Sequence, residues 1–401
     1  MTTQIPRIVI VSQHFAPSTG ATAQLVTDLA DSFFEQGLSP LVITSTPSKV
    51  NSNYPVIRTT VVDSHSSRNS IFFKSLSGLS FFLQVLTWSI THLDSTRDRL
   101  LIYSNPPFIG FLGVCLRLLR GIDYTYVHQD LFPRSAVISG VIPQKGPLTF
   151  LLQNFFKLVD LYAKNIIFLS ESMRSRHLST ISPFHKKSVV IPNWAIERAL
   201  PLPKQSNQFA IDNQLVDTLV IQYSGNYGRM HDMLTLLEAA RLLQDQPISF
   251  LFVGGGNKHS QIVTYKEYYQ LSNVHLLPYQ PRHILPFSLA SSDLSAITLC
   301  LSAEDTVAPS KLYGILASAK PVLLVASSHS EIGKLIIDNN CGIVIEPGAI
   351  HDLVQKLKLL SRSPQLLQEM SHNSLETYKR LYGKDRSIAL YKSALSSNLL
   401  S

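Results

Sequence analysis

The sequence predicts an α/β protein of two successive doubly wound domains, and three observations carry that reading. Short β-branched apolar runs alternate with longer helical patterns along the chain, the mark of parallel βαβ units. The alternation breaks once, over 193–216, where Pro-Leu-Pro at 201–203 runs into a polar stretch, as an interdomain linker does. The chain has 401 residues, more than one ordinary domain of about 100–200 residues uses.

In the first half the strand candidates are Arg7–Ser12, Leu41–Ser45, Val56–Val61, Leu100–Ser104, Tyr124–His128, Ile166–Ser170 and Val189–Pro192. Helical periodicity is clearest over Ala21–Gln36, Phe72–Leu93 and Leu148–Ala163. The second half repeats the alternation with Leu219–Ser224, Ile248–Val253, Val274–Leu276, Leu294–Thr298, Val322–Val325 and Ile343–Ile345, then two helical stretches punctuated by Gly383. Strands this uniformly apolar belong to sheets with helices on both faces. The expected layout is a first domain over 1–200, a second over 201–380, and a helix within 381–401 that returns to the first. Ligands of such sheets sit outside the strand carboxyl ends, so two facing sheets would bind across a cleft.

Composition removes other classes. Charged residues are 15% of the chain, apolar residues 45%, and mean hydropathy is +0.13, which excludes disorder. The 18 Gly and 22 Pro are aperiodic, which excludes a collagen-like chain. Cys115, Cys300 and Cys341 lie far apart with no Cys-x-x-Cys; this excludes a disulfide scaffold and a thiolate zinc site, and fits a reducing compartment. No apolar segment reaches the ~20 residues that cross a bilayer, and the N-terminal residues lack a secretory pattern. A cytoplasmic protein that does not span a membrane is expected. The net charge of +8 is lopsided: residues 1–200 carry 18 Lys/Arg against 11 Asp/Glu, and 201–401 carry 17 against 16. The first half therefore suits an anionic partner. Lys and Arg do not interleave with aromatics in one stripe, so nucleic acid is not expected.

Several turns carry candidate chemistry. The first strand runs into Ser12–Gly20 without a GxGxxG pattern, which argues against a dinucleotide cofactor; Gly20 opens a helix whose amides can approach a phosphate or sugar, and His14, Gly20 and Gln24 are candidates to line the cleft. Walker A, HExxH and DxD patterns are absent, so no metal and no cofactor are expected. Pro309-Ser310-Lys311-Leu312 stands between a strand and a helix, with Ser310 as a natural N-cap and Lys311 beside the positive helix end, an arrangement suited to a diphosphate. Ser224-Gly225-Asn226, with Arg229 and His231, and Gly254-Gly255-Gly256 are turns at strand ends of the same domain, where the backbone can approach a ligand. In the first domain His128, Gln129 and Asp130 end a strand, a place from which a His and a carboxylate can orient or deprotonate a hydroxyl. Phe72, Leu76, Leu79, Leu83, Leu86 and Ile90 recur at helical spacing. The apolar residues between them (Phe73, Phe81, Phe82, Val85 and Trp88), with Lys74, leave a surplus that suits core packing or a membrane interface. Arg174, Arg176, His177, Lys186 and Lys187 form a basic run suited to lipid headgroups or to a solvated loop.

Together HQDLFPRSAVISG (128–140), IPNW (191–194), YSGNYGRMHD (223–232), FVGGG (252–256), LPYQPR (277–282), PSKLYGILASAKPV (309–322) and SEIGKLIIDNNCGIVIEPG (330–348) resemble the family-4 retaining glycosyltransferases of the GT-B fold, in the branch of bacterial capsule, exopolysaccharide and O-antigen assembly. The resemblance implies two Rossmann-like domains facing across a cleft. It implies transfer of a hexosyl or N-acetylhexosaminyl unit from a nucleotide-diphosphate sugar to a lipid-linked or other glycan acceptor, at the inner face of an anionic membrane. It places the donor on Ser310-Lys311 and the Gly225 turn, with its base near Tyr279. Departures exist. The Glu-x7-Glu pair of many members falls here on Thr306 and Gly314, with Glu304 and Asp305 nearby, and a usual Arg and Lys fall on Asn226 and His231. His128, Asp130 and Lys311 are the expected catalytic groups. The alternatives are a catalytically silent GT-B subunit that binds nucleotide sugar, which the missing Glu pair favours, and a GT-B sugar-nucleotide epimerase.

Overall fold

In both sheets the strands run parallel, and in each the order reverses at one point. The structure, a computed structural model, describes residues 7–18, 20–47, 51–60, 71–180, 187–196, 198–200 and 202–396, with side chains from Leu76 onward in the helix that begins at Ile71. The chain divides into two units: Met1–Asn193 with Asp385–Ser401, and Trp194–Lys384.

The first unit holds β1 (Arg7–Val11), β2 (Ser39–Thr44), β3 (Val56–Arg58), β4 (Asp98–Tyr103), β5 (Tyr124–His128), β6 (Asn165–Phe168) and β7 (Ser188–Val190). They are ordered β3-β2-β1-β4-β5-β6-β7. The second unit holds β8 (Leu219–Asn226), β9 (Ile248–Gly255), β10 (Val274–Leu277), β11 (Leu294–Thr298), β12 (Val322–Val325) and β13 (Gly342–Ile345), ordered β10-β9-β8-β11-β12-β13. The order reverses between β1 and β4 and between β8 and β11, and loops at such switch points are where doubly wound sheets bind ligands. Val9, Ile10, Leu100, Leu101 and Ile102 of the first sheet, and Val220, Leu251, Leu323 and Leu324 of the second, are fully buried, as strands covered on both faces require.

Three sequence expectations change. Residues 193–216 are not a free linker: Trp194 is buried, Asn207 caps the helix Gln208–Asp212 by accepting from the Phe209 amide, and Ala210 and Leu215 enter the second core. Glu197 and Pro201 lie outside the described residues. In the helix Ile71–His92 the buried line is Gly78, Phe81, Val85 and Ser89, while Leu76, Leu79 and Leu83 are 40–55% exposed. The stripe of leucines therefore faces outward. The helix is apolar on most of its circumference, so periodicity alone does not choose the side that packs. The side chains of Phe72, Phe73 and Lys74 lie outside the described residues. The basic run is also dispersed: His177 is buried, Lys187 donates to the carbonyls of Asp160, Leu161 and Ala163 at the end of the helix Pro147–Tyr162, and Arg174 pairs with Glu171. Lys186 lies outside the described residues.

The helix Lys384–Ser396 supplies Tyr391 and Ala394 to the first unit. Tyr103 donates its hydroxyl to Tyr391 within the core, Asn165 donates to the Ala394 carbonyl, and Ser387 to that of Pro192. Among the described residues no helix is long and apolar enough to cross a membrane.

Packing in the first unit admits no spare volume at Gly113, where an added Cβ would stand 2.6 Å from the Tyr124 ring. Gly113→Ala should therefore destabilise by about 1–3 kcal/mol, the usual cost of overpacking, read as a lowered denaturant midpoint. An unchanged midpoint would show that Tyr124 moves aside freely.

Candidate functional site

The second unit's switch point gathers most of the predicted donor residues. β8 ends in Ser224-Gly225-Asn226 and pairs in register with β9, Gly225 opposite Gly254 and Asn226 opposite Gly255. Gly254 has φ +138°, and a Cβ there would lie 2.1 Å from the Gly225 carbonyl oxygen, so only glycine permits this approach. Tyr279 is 59% exposed and donates its hydroxyl to the Gly255 carbonyl at 3.2 Å, with its ring against Gly255.

Lys311 crosses to this turn from the far side of the switch point. Its Nζ lies 3.4 Å from the centroid of the Tyr223 ring, and its Cε is 2.9 Å from where a Cβ on Gly225 would stand. The Nζ is buried and has no hydrogen-bond partner. Burial holds the amine well below the ordinary lysine range, because a desolvated cation is costly. The sequence reading expected a charge standing beside a capped helix. Instead the helix Lys311–Ala317 is seven residues long, and Ser310, though at the N-cap position, makes no side-chain capping bond. The electrostatic weight passes from the helix end to the amine.

His231 also differs from expectation. Its Nδ1 lies 2.8 Å from the Thr298 carbonyl, which can only accept; Nδ1 therefore carries the proton and Nε2 keeps its lone pair. Burial, then Lys311 and Lys258, push its pKa down to about 4. His231 is thus a neutral acceptor, not a phosphate-binding cation. Arg229 is exposed. Glu304 accepts from the Ser327 amide, and burial raises its carboxyl above the ordinary range. Glu346 accepts from the Ser328 amide at 2.7 Å. Thr306 is buried and Gly314 lacks a side chain, so neither replaces a glutamate. Pro309 is half-buried and Leu312 is buried.

In the first unit, His14 and Gly20 are exposed, Gln24 is half-buried, and Gln129 and Asp130 are half-buried beyond the end of β5. Gln129 Nε2 is buried without a partner. Burial raises the Asp130 carboxyl, against the pull of a Ser135 hydrogen bond and of His128. His128 is corrected. It is 1% exposed, its ring stacks on Phe168 at 4.9 Å, and its Nε2 bonds Asp160 at 3.0 Å. The same carboxylate accepts from His177 Nε2. His128 ends its strand as a buried core group held by Phe168 and Asp160, not as an open side chain at the strand end.

Among the described residues, His128, Asp160 and His177 are the group whose potential metal-ligand atoms converge. Both Nδ1 atoms are buried without a partner. A metal-bound imidazole donates its other N–H to an acceptor, so the shared hydrogen-bond network fits these residues better. Burial alone would raise the Asp160 carboxyl; the two imidazoles reverse that and hold it well below the carboxylate range.

The model of the family described as glycosyl transferases group 1 matches residues 204–377. The match lies wholly in the second unit and covers less than half of the chain. The Tyr223, Gly225, Gly254 and Lys311 cluster lies within it. The chain is 25% identical to WbjE of Pseudomonas aeruginosa, named as a probable glycosyltransferase, over 268 residues, 66% of this chain and 67% of that one. It is 26% identical over 219 residues to WcaI of Escherichia coli (strain K12), a glycosyl transferase assigned to colanic acid biosynthesis, spanning 53% of this chain and 54% of that one. Among solved structures, Anabaena Alr3699/HepE in complex with UDP-glucose aligns with a TM-score of 0.70 at 14% identity, covering 97% of this chain and 100% of that one. The fold is GT-B, with two Rossmann-like α/β units.

Sequence reasoning missed Tyr223, Lys258, Glu346 and Asp160. Tyr223 stands directly before the glycine turn, a signal available in principle. Asp160 gives none, since it occupies an ordinary helical position.

The buried network sets an acid limit on stability. His128 is kept below its ordinary range by burial, against Asp160, and Asp160 is also depressed. The unfolded chain therefore binds more protons as the pH falls. Stability should decline below about pH 6.5, where an unfolded imidazole charges, and further below about pH 4, as a falling Tm. Asp160→Ala should cost about 3–5 kcal/mol, leaving its partners unpaired; a wild-type denaturation midpoint would contradict this role.

Proposed function

We propose that this chain is a retaining glycosyltransferase that moves a hexosyl or N-acetylhexosaminyl unit from a nucleotide-diphosphate sugar to a lipid-linked glycan acceptor, in the assembly of a cell-surface polysaccharide. The observation that carries the reading is the Lys311 amine, buried without a partner at the switch point of the unit that the group 1 model matches. An orphaned lysine beside two glycine turns suits a ligand that is anionic and is met partly by backbone. WbjE and WcaI, both named as glycosyltransferases, support sugar transfer, and HepE, bound to UDP-glucose, supports a nucleotide-sugar donor.

Chemically, the bond between the sugar's anomeric carbon and the diphosphate oxygen breaks, and its electron pair stays on the diphosphate. The acceptor hydroxyl attacks from the face the diphosphate leaves and passes its proton to the departing phosphate oxygen. Neutralising that developing charge is the main electrostatic task. In this reading Lys311 performs it without a metal, with Arg229 and the amides of Ser224 to Asn226 and Gly254 to Gly255 contributing. Tyr279 faces the base, and Glu304, Pro309, Ser310 and Leu312 shape the surrounding loop. Asp130 and Gln129 orient sugar or acceptor, with His14, Gly20 and Gln24 on the acceptor side.

The first unit works, in the same reading, on the inner face of the cytoplasmic membrane. Leu118 and Leu119 of the helix Gly110–Arg120, and Phe150 and Leu151 of its neighbour Pro147–Tyr162, are 62–65% exposed. Exposed apolar side chains on helices that also carry basic residues suit an anionic lipid surface.

Two measurements test this. Lys311→Ala should lower turnover at least ~10²-fold in a sugar-transfer assay, by analogy with removing one donor to a developing anion; unchanged turnover refutes the assignment. Nucleotide-sugar binding with no transfer to any glycan acceptor would favour the silent subunit. Leu119→Ser with Phe150→Ser and Leu151→Ser should reduce co-sedimentation with anionic vesicles while leaving Tm within a few degrees. Equal sedimentation would remove these helices from the membrane reading.

A further inference from the structure

A lysine amine that waits for an anion in a dry place faces a choice of protonation state. Around Lys311 the described neighbours offer the charged form a ring face but no hydrogen-bond acceptor. From β8 comes the Tyr223 ring, whose own hydroxyl is spent on the Asn226 carbonyl at 3.1 Å. From the loop after β8 comes His231, neutral and turned toward the Thr298 carbonyl of β11, and behind it Lys258, whose Nζ donates to the His231 carbonyl. Glu304, in the loop before Lys311, is spent on the Ser327 amide. The pull on the amine is burial, and among the described residues no carboxylate opposes it. The Tyr223 ring face attracts an ammonium but brings no negative charge to offset its burial.

We infer that nucleoside diphosphate binding at this site is coupled to uptake of one proton by Lys311, with the Tyr223 ring as the positioning group that holds the amine in place before the ligand arrives. The inference rests on the donor-site reading above. Its balance is simple: the Lys311 nitrogen lone pair takes a proton from solvent, the amine becomes an ammonium, and no other bond changes. The diphosphate brings the negative charge that the empty site lacks, so the ammonium is stable only in the complex. Gly225 serves the same end, since a side chain there would collide with Lys311 Cε.

Linkage fixes the signature. Between the proton affinities of the empty and the occupied site, the association constant falls as pH rises, by up to about tenfold per pH unit for one proton. Above about pH 7.5 the terminal phosphate of a nucleoside diphosphate, with a pKa of about 6, is already ionised, so the ligand does not supply the effect.

The experiment is isothermal titration calorimetry of the full chain with UDP, GDP and dTDP at about pH 8, in buffers of different ionisation enthalpy. The expected result is uptake of close to one proton per ligand bound, and weakening affinity toward about pH 9. Lys311→Met should bind more weakly with no linked proton. Tyr223→Phe should keep both affinity and uptake, while folded Tyr223→Leu should bind at least about tenfold more weakly. Binding without proton uptake by the wild-type chain overturns the coupling and leaves the donor-site reading standing. Failure of all three nucleotides to bind overturns both. Uptake that persists in Lys311→Met removes it from Lys311, and wild-type affinity in Tyr223→Leu removes the positioning role.

Discussion

The closeness of two strand ends governs the second unit's site. A single methyl group on Gly254 would stand 2.1 Å from the Gly225 carbonyl oxygen. Only with both residues bare can β8 and β9 stay paired through Gly225 and Asn226. That pairing carries the backbone past the sheet's edge, leaves Tyr223 with its ring toward β11, and opens the space over Gly225 that the Lys311 side chain fills. It also gives Tyr279 a flat glycine surface to lie on. Widening this contact would displace the amine, the ring beneath it and the exposed tyrosine together.

The two units handle buried ionisable groups in opposite ways. In the first, Asp160 is fully buried and fully satisfied by two imidazoles. Such a network holds a core together and has nothing left over for a ligand. In the second, Lys311 Nζ is buried, and among the described residues it meets a ring face and no hydrogen-bond partner. An unsatisfied buried donor is costly, and such costs gather where a ligand supplies the missing partner. The contrast separates His128 from Lys311, which look alike in the sequence as charged residues at strand or helix ends.

The elements were legible because their signals are local. β5, β11 and β12 match the predicted Tyr124–His128, Leu294–Thr298 and Val322–Val325, while β8 and β9 run on into their glycine turns to Asn226 and Gly255. A strand buried on both faces is a short continuous apolar run, and nothing distant is needed to see it. The helix Ile71–His92 was equally visible, but its packed side was not, since phenylalanine and leucine occupy both sides and only a neighbour decides which is covered. Of the site, the turns and Lys311 were legible as residue types at strand ends. The ring beneath Lys311, the carbonyl that takes the His231 proton and the carboxylate that claims His128 were not.

Residue order alone carried the alternation of strands and helices, the break in it over 193–216, the glycines at the ends of β8 and β9, and the likeness of 204–377 to the group 1 glycosyl transferases. These depend on chain-local chemistry: apolar runs, turn residues and motif order. Tertiary structure alone decided the state of each functional group. His128 became a core residue because Asp160, 32 positions away, reaches it. His231 became a neutral acceptor because Thr298, 67 positions away, takes its proton bond. Lys311 lost its solvent because Tyr223 lies beneath it. Protonation and accessibility are set by what surrounds an atom in space, and those surroundings come from partners that residue order does not name.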